Sequence, residues 1–161
     1  MSINRIFYLT GIFLQFTFFV KGQDTGNSAF RLPLRHLMVT SPYGWRIHPL
    51  TGKRQFHSGV DLAAASDTVF CIAGGCVAEV RSDPVNGNYI AVDHGDGLQS
   101  FYCHLSAIAV LPGEPLIAGQ VLGLTGATGR TTGEHLHLTI KYQGRPISPL
   151  QFLGGLAEKP P

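Results

Sequence analysis

The feature that most constrains this chain is its punctuation. From Thr68 onward, β-rich runs of five to seven residues alternate with clusters of Gly, Asn, Asp and Pro. No window carries a sustained apolar period of 3.6 residues. The runs are Thr68–Ile72, Cys76–Arg81, Tyr89–Asp93, Leu98–His104, Gln120–Leu124 and Leu136–Tyr142; the breaks are Gly74-Gly75, Asp83–Asn88, His94–Gly97, Pro112–Pro115, Gly126–Gly133 and Gln143–Pro146. Asn86-Gly87 and Asp96-Gly97 are hairpin signals, because such turns need positive φ at low cost. The 20 glycines among 161 residues exceed the usual ~7% share, as many tight turns require. The pattern predicts an all-β, mostly antiparallel domain over residues 30–153, with few and short helices. Short mobile segments are expected at 23–29 and 154–161.

Composition narrows the function classes. A chain of 161 residues with 44% hydrophobic and 14% charged residues has room for one domain and enough apolar surface to fold. Both excess cations, Arg5 and Lys21, lie in the first 22 residues; beyond them ten cations face ten acids. A neutral domain without basic runs lacks the clustered charge that nucleic-acid binding needs, so no nucleic-acid partner is expected.

Those first residues read as an address. Arg5 precedes the mostly apolar run Ile6–Val20, and Lys21-Gly22-Gln23-Asp24 turns polar. A basic start, an apolar stretch of this length and Val20 and Gly22 before a cut after residue 22 match a secretory signal peptide over 1–22. Fifteen helical residues span roughly 22 Å, short of a ~30 Å hydrocarbon core, so no stable membrane anchor is expected after cleavage. Export to the periplasm or outside the cell follows. That compartment permits disulfides, but three cysteines (Cys71, Cys76, Cys103) cannot all pair internally. A bridge across the Ala73-Gly74-Gly75 turn and three buried small hydrophobes both remain compatible with the sequence.

The chemistry lies in the histidines. In His135-Leu136-His137 on a strand, the two imidazoles share a face about 7 Å apart. One can bind a metal while the other reaches a water on it. In His57-Ser58-Gly59-Val60-Asp61 the outer residues would be about 13 Å apart if fully extended; Gly59 permits the bend that would bring both to one ion. Two His and one Asp leave zinc a fourth position open for water, whose pKa then falls towards ~7. His104 ends the run Leu98–His104, and strict alternation would put Cys103 on the opposite face. His36 and His94 read as surface or turn residues.

Four stretches together resemble a known family: Ser41–Pro49 (SPYGWRIHP), His57–Asp61 (HSGVD), Tyr102–Leu105 (YCHL) and Gly133–His137 (GEHLH). In order and spacing they are similar to the lysostaphin-like, or LytM-domain, zinc endopeptidases, which cut peptide cross-links of bacterial peptidoglycan. Gly119–Gly129 resembles that family's glycine-rich approach to the last motif. The resemblance covers residues 30–153. It implies an antiparallel β-fold with the site in a groove between loops, and one zinc per chain held by His57, Asp61 and His137. It also implies that His104 and His135 line the metal-bound water as general base, oxyanion stabiliser, or both in turn. Peptidoglycan stem peptides and cross-links become the expected partners. With no wall-targeting module in the sequence, targeting is expected from the groove or from a wall-associated protein. Arg46, in the leading motif with His48, is a candidate for pairing with a stem-peptide carboxylate; a packing or loop salt bridge is its alternative. Cys103 stands where many relatives carry Ala.

Some relatives have lost ligands and act as silent activators of other wall hydrolases. Here all five positions are intact, which favours an enzyme. A cupin-type metal site would need a Glu shortly after the second His, and Leu138–Tyr142 contains none.

Overall fold

A computed structural model of the chain describes residues 29–47 and 52–157. The expected leader over 1–22, most of the 23–29 segment, His48 and residues 158–161 lie outside the described residues. The strands follow in chain order. They are β1 (Val39–Ser41), β2 (Gly44–Ile47), β3 (Arg54–His57), β4 (Val60–Ala63), β5 (Thr68–Phe70), β6 (Gly75–Asp83) and β7 (Gly87–Asp93), then β8 (Leu98–Leu105), β9 (Ala107–Ile108), β10 (Pro115–Leu116), β11 (Val121–Leu124), β12 (His135–Tyr142) and β13 (Arg145–Ile147); helix α1 is Pro149–Ala157.

The main sheet runs β1-β4-β12-β8-β7-β6-β10, with β13 beside the end of β12. Every pairing is antiparallel. A three-stranded sheet, β5-β11-β9, and a two-stranded ribbon, β2-β3, complete the set. Alternation along the central strands decides what each face does. In β12, Leu136, Leu138 and Ile140 are fully buried, while His135, His137 and Thr139 occupy the other face. In β4, Val60 and Leu62 are buried and Asp61 alternates with them. Each such burial is worth on the order of 1.5–3 kcal/mol, so the register cannot slip by one without exposing the core. Val69 of β5 and Leu122 of β11 join the same cluster. One core therefore lies beneath the apolar face and leaves the polar face free for chemistry.

All six expected strands are present, and Asp96 and Gly97 take φ of 51° and 79° in the β7–β8 turn, as that turn requires. The elements missed are short: β1 to β4, β9, β10 and β13 have two to four residues each, too few to show a period. Helix α1 continues through Gly154 into the stretch read from sequence as a tail. At its start the Ser148 carbonyl accepts from Phe152 N–H at 3.0 Å, and Pro149 stands at the first helical position; the sequence reading named no helix there. Leu153 of the helix is buried in the core, and Phe152 meets Phe30 edge to face at 5.4 Å. Among the described residues no helix is long and apolar enough to cross a membrane, and all three cysteines are free thiols, Cys71 and Cys103 buried and Cys76 exposed.

Candidate active site

Three neighbouring strands bring the site together. Asp61 on β4 pairs in register with His137 on β12, which pairs with Cys103 on β8. Facing residues in such a ladder point to the same side. His57 arrives from β3. The chain bends at Gly59 as it leaves the ribbon for the main sheet, and a Cβ at Gly59 would meet Leu138 O at 2.4 Å and His137 Cε1 at 2.8 Å. Glycine is required there because the backbone presses against β12, a stronger reason than the freedom to bend. The result is a triangle: His137 Nδ1 lies 2.7 Å from Asp61 Oδ1, His57 Nε2 lies 3.2 Å from the same oxygen, and the two nitrogens are 3.1 Å apart.

The donor set fits a metal ion. Zinc with bonds of ~2.0–2.1 Å to tetrahedral ligands separates them by about 3.3 Å, near the edges of this triangle. The tautomers are also suitable. His57 Nδ1–H donates to Pro42 O at 2.8 Å, which leaves Nε2 bare towards the triangle, because a carbonyl can only accept. Thr139 Oγ1 stands 3.0 Å from His137 Nε2; a hydroxyl both gives and takes a proton, so it can hold His137 with Nδ1 bare. Among the described residues His57, Asp61 and His137 form the group that could hold an ion.

His104 and His135 stand beside this group, ring centroids 4.7 Å apart. His135 Nδ1–H donates to Gly133 O at 2.9 Å, and His104 Nδ1–H donates to Thr128 O at 2.8 Å. Both therefore present a bare Nε2 when neutral; that of His135 lies 3.6 Å from Asp61 Oδ1. His104 gets there by breaking alternation. The β7–β8 register slips between Asn88 and Ile90, and His104 sits in the resulting bulge at φ 66°. A left-handed histidine costs on the order of 1–3 kcal/mol, offset here by burial and by the His104 N–H bond to Asn86 O at 2.8 Å. The bulge corrects the sequence expectation for Cys103: it and His104 lie on the same side of the sheet, because Cys103 keeps register with His137 while the bulge swings His104 round.

Electrostatics follow from burial and these bonds. Burial opposes ionisation of Asp61, but the His135, His137 and His57 rings gathered at its carboxylate outweigh it and hold the carboxyl well below the usual carboxylate range. Burial holds His104 below its ordinary value. For His135 burial acts the same way, but its bonds to Asp61 and Gly133 reverse the sign and raise it. The Cys103 thiol is pushed up to about 12 by burial, with Asp83 and Asp61 adding to the effect; it stays protonated and unreactive.

A groove of about 230 Å³ opens over these groups, with Arg46 and Arg130 in its wall, and a neighbouring cavity of about 490 Å³ shares Arg46, Asp61 and His135 with it. Arg46 Nη2 is 3.6 Å from Asp61 Oδ2, and its Nε is buried without a partner. The positioning groups that sequence reading missed are Pro42 O, Thr128 O, Gly133 O and Thr139. Three are backbone carbonyls, which carry no side-chain signature. Glu134 also escaped notice: its carboxylate accepts from Ser66 N–H and from Thr125 Oγ1 at 3.1 Å, tying the approach to β12 to the loop after β4. His36 is exposed.

Residues 55–149 match the model of peptidase family M23. The chain is 35% identical over 119 residues to a DD-carboxypeptidase/endopeptidase, Mpg, of Neisseria meningitidis serogroup B; the match covers 73% of this chain and 27% of that protein. It is 39% identical over 107 residues to the peptidoglycan DD-endopeptidase ShyA of Vibrio cholerae, covering 66% and 25%. The fold superposes on a zinc-containing peptidase from Vibrio cholerae with a TM-score of 0.70 at 36% identity, over 74% of this chain and 39% of that one. The matched part spans about a quarter of the length of the curated relatives. With the matched residues running from the ribbon strand that carries His57 to the start of α1, the chain belongs to peptidase family M23.

Proposed function

We propose that this chain is an exported, zinc-dependent endopeptidase that hydrolyses peptide cross-links of bacterial peptidoglycan. The observation that carries the reading is the convergence of His57 Nε2, His137 Nδ1 and Asp61 Oδ1 within 4.8 Å of one another, beneath an open groove and beside two further histidines. When bound, zinc supplies Lewis-acid polarisation of the scissile carbonyl and lowers the pKa of water.

The chain's own residues do the rest. His57, Asp61 and His137 hold the ion, each fixed by the partner on its far side. The bare Nε2 of His104 or His135 takes the proton of the attacking water and can return one to the departing amine. Whichever nitrogen is not accepting the proton is free, once protonated, to donate to the developing oxyanion. Arg46 lines both cavities, and its guanidinium fork suits a carboxylate of a stem peptide beside the scissile bond. The groove, or a wall-associated protein, brings the enzyme to its substrate.

The test is zinc content together with turbidity loss of purified peptidoglycan, for residues 23–161 and for His135→Ala. One zinc per chain, with clearing lost on mutation or chelation, supports the reading. Bound zinc with no clearing on several wall types overturns it in favour of a silent activator of another hydrolase, and a folded protein without zinc overturns the ligand assignment.

A further inference from the structure

Among the described residues the β2–β3 ribbon pairs only with itself, so its two faces point to opposite sides. In register, Gly44 faces His57 and Arg46 faces Gln55 on one side; Trp45 faces Phe56 and Ile47 faces Arg54 on the other. The first side belongs to the site. On the second, Trp45 and Ile47 are each 65% exposed and Phe56 is 38% exposed. Large apolar groups clustered in water on a rigid strand pair mark a binding surface.

This surface is already ordered. Tyr43 meets Phe56 edge to face at 5.1 Å, Phe56 meets Trp45 at 5.6 Å, and the Arg54 guanidinium sits 5.1 Å from the centre of the Trp45 ring. Tyr43 is pinned by donating its hydroxyl proton to Pro146 O at 2.9 Å. Rings held this way lose little entropy on binding, and they offer flat apolar faces beside a cation. The surface is continuous with the groove, because Phe56 also lines it.

We infer that the outward face of the ribbon, made by Trp45, Phe56, Ile47 and Arg54, binds the sugar chain of peptidoglycan while the attached stem peptide lies in the groove. The inference rests on the peptidase reading and names a second contact for the same substrate. Each stem hangs from a sugar, and a stem of about four residues reaches at most ~14 Å when extended. Successive side chains leave a strand on opposite faces, so the site and the outer surface are separated by the thickness of one ribbon. The sugar of a stem bound at the metal group therefore comes within range of the outer face. The apolar faces of pyranose rings match the aromatic rings, and the Arg54 guanidinium can donate to sugar hydroxyls.

The chain has a single tryptophan, so its emission reports this face alone. Titration with glycan strands stripped of their peptides is expected to change Trp45 emission saturably, with zinc present or chelated. Trp45→Ala, and to a lesser extent Trp45→Phe, should lower kcat/KM on intact sacculi about tenfold more than on cross-linked peptides freed from glycan. An emission that does not respond to stripped glycan overturns the inference. So do equal losses on the two substrates, which would assign the ribbon to the peptide, and an emission that changes with protein concentration alone, which would assign it to a second copy of this chain. The glycan titration needs no turnover, so its result stands apart from failure of the peptidase reading.

Discussion

His94 and the histidines of the groove obey opposite rules. Behind the sheet, Ile72 N–H donates to the Tyr102 hydroxyl at 2.9 Å. That hydroxyl and Ser100 Oγ are 3.0 Å apart, Ser100 Oγ is 2.7 Å from His94 Nε2, and His94 Nδ1–H donates to Gly74 O at 2.9 Å. One proton per link runs from backbone to backbone, so every polar atom of the chain is satisfied. In the groove, His57, His104 and His135 have their Nδ1–H groups tied to carbonyls and their Nε2 atoms turned inward, where Asp61 is the shared partner of several nitrogens. The first arrangement is complete without a ligand. The second has lone pairs to spare, and it maintains them at the cost of a left-handed His104. Spare lone pairs converging on one point separate a site from a brace.

The comparison is broken most directly at the ligands. His137→Ala is expected to lose zinc and to lower the cleavage rate of cross-linked muropeptides on the order of a thousandfold or more, since several kcal/mol of charge stabilisation go with the metal. Elemental analysis and fragment chromatography check both; a variant that clears peptidoglycan normally removes the assignment. Next come His104→Ala and His135→Ala, which should keep zinc and lose roughly 10²–10⁴ in rate, the range for a positioned proton carrier. Loss of zinc in either would move that residue among the ligands.

The satisfied chain should respond in the other currency, stability. Tyr102→Phe leaves Ile72 N–H without its buried acceptor and is expected to cost about 1–3 kcal/mol, with kcat/KM unchanged. Denaturant titration beside a rate measurement tells the two apart, and a rate defect at full stability would contradict the structural role. The smallest effect is a pH dependence. Burial holds His94 below its ordinary value against the opposing pull of the Gly74 carbonyl. The unfolded chain therefore binds a proton near pH ~6.5 that the folded state refuses, and stability falls as pH drops from there through the lower native value. Melting curves between pH 7 and 5 should show this loss in the parent and not in His94→Gln; equal slopes would mean the chain does not sense the proton.

The strands that frame the site were legible because their signals are local. Leu136, Leu138 and Ile140 announce a buried face, Asp96-Gly97 announces a turn, and His135 and His137 share a side of any strand they form. His94 was read as a surface or turn residue, and it does open the β7–β8 turn; its bonds to Gly74 and Ser100 were not legible, because those partners are twenty and six positions away and no spacing rule names them. The ribbon was missed because four-residue strands have no period to detect, although Trp45 and Phe56 stood in plain view.

What the sequence alone determined is the inventory and its alternation: which imidazoles and which carboxylate exist, and which of them share a strand face. Only the tertiary structure decided their convergence. Asp61 and His137 meet through a register between β4 and β12, seventy-six positions apart, chosen by the burial of Val60 and Leu62 against Leu136 and Leu138. His104 joins them through a bulge that alternation forbids and packing imposes. Local pattern follows from the geometry of one strand; a site follows from several strands agreeing on one core.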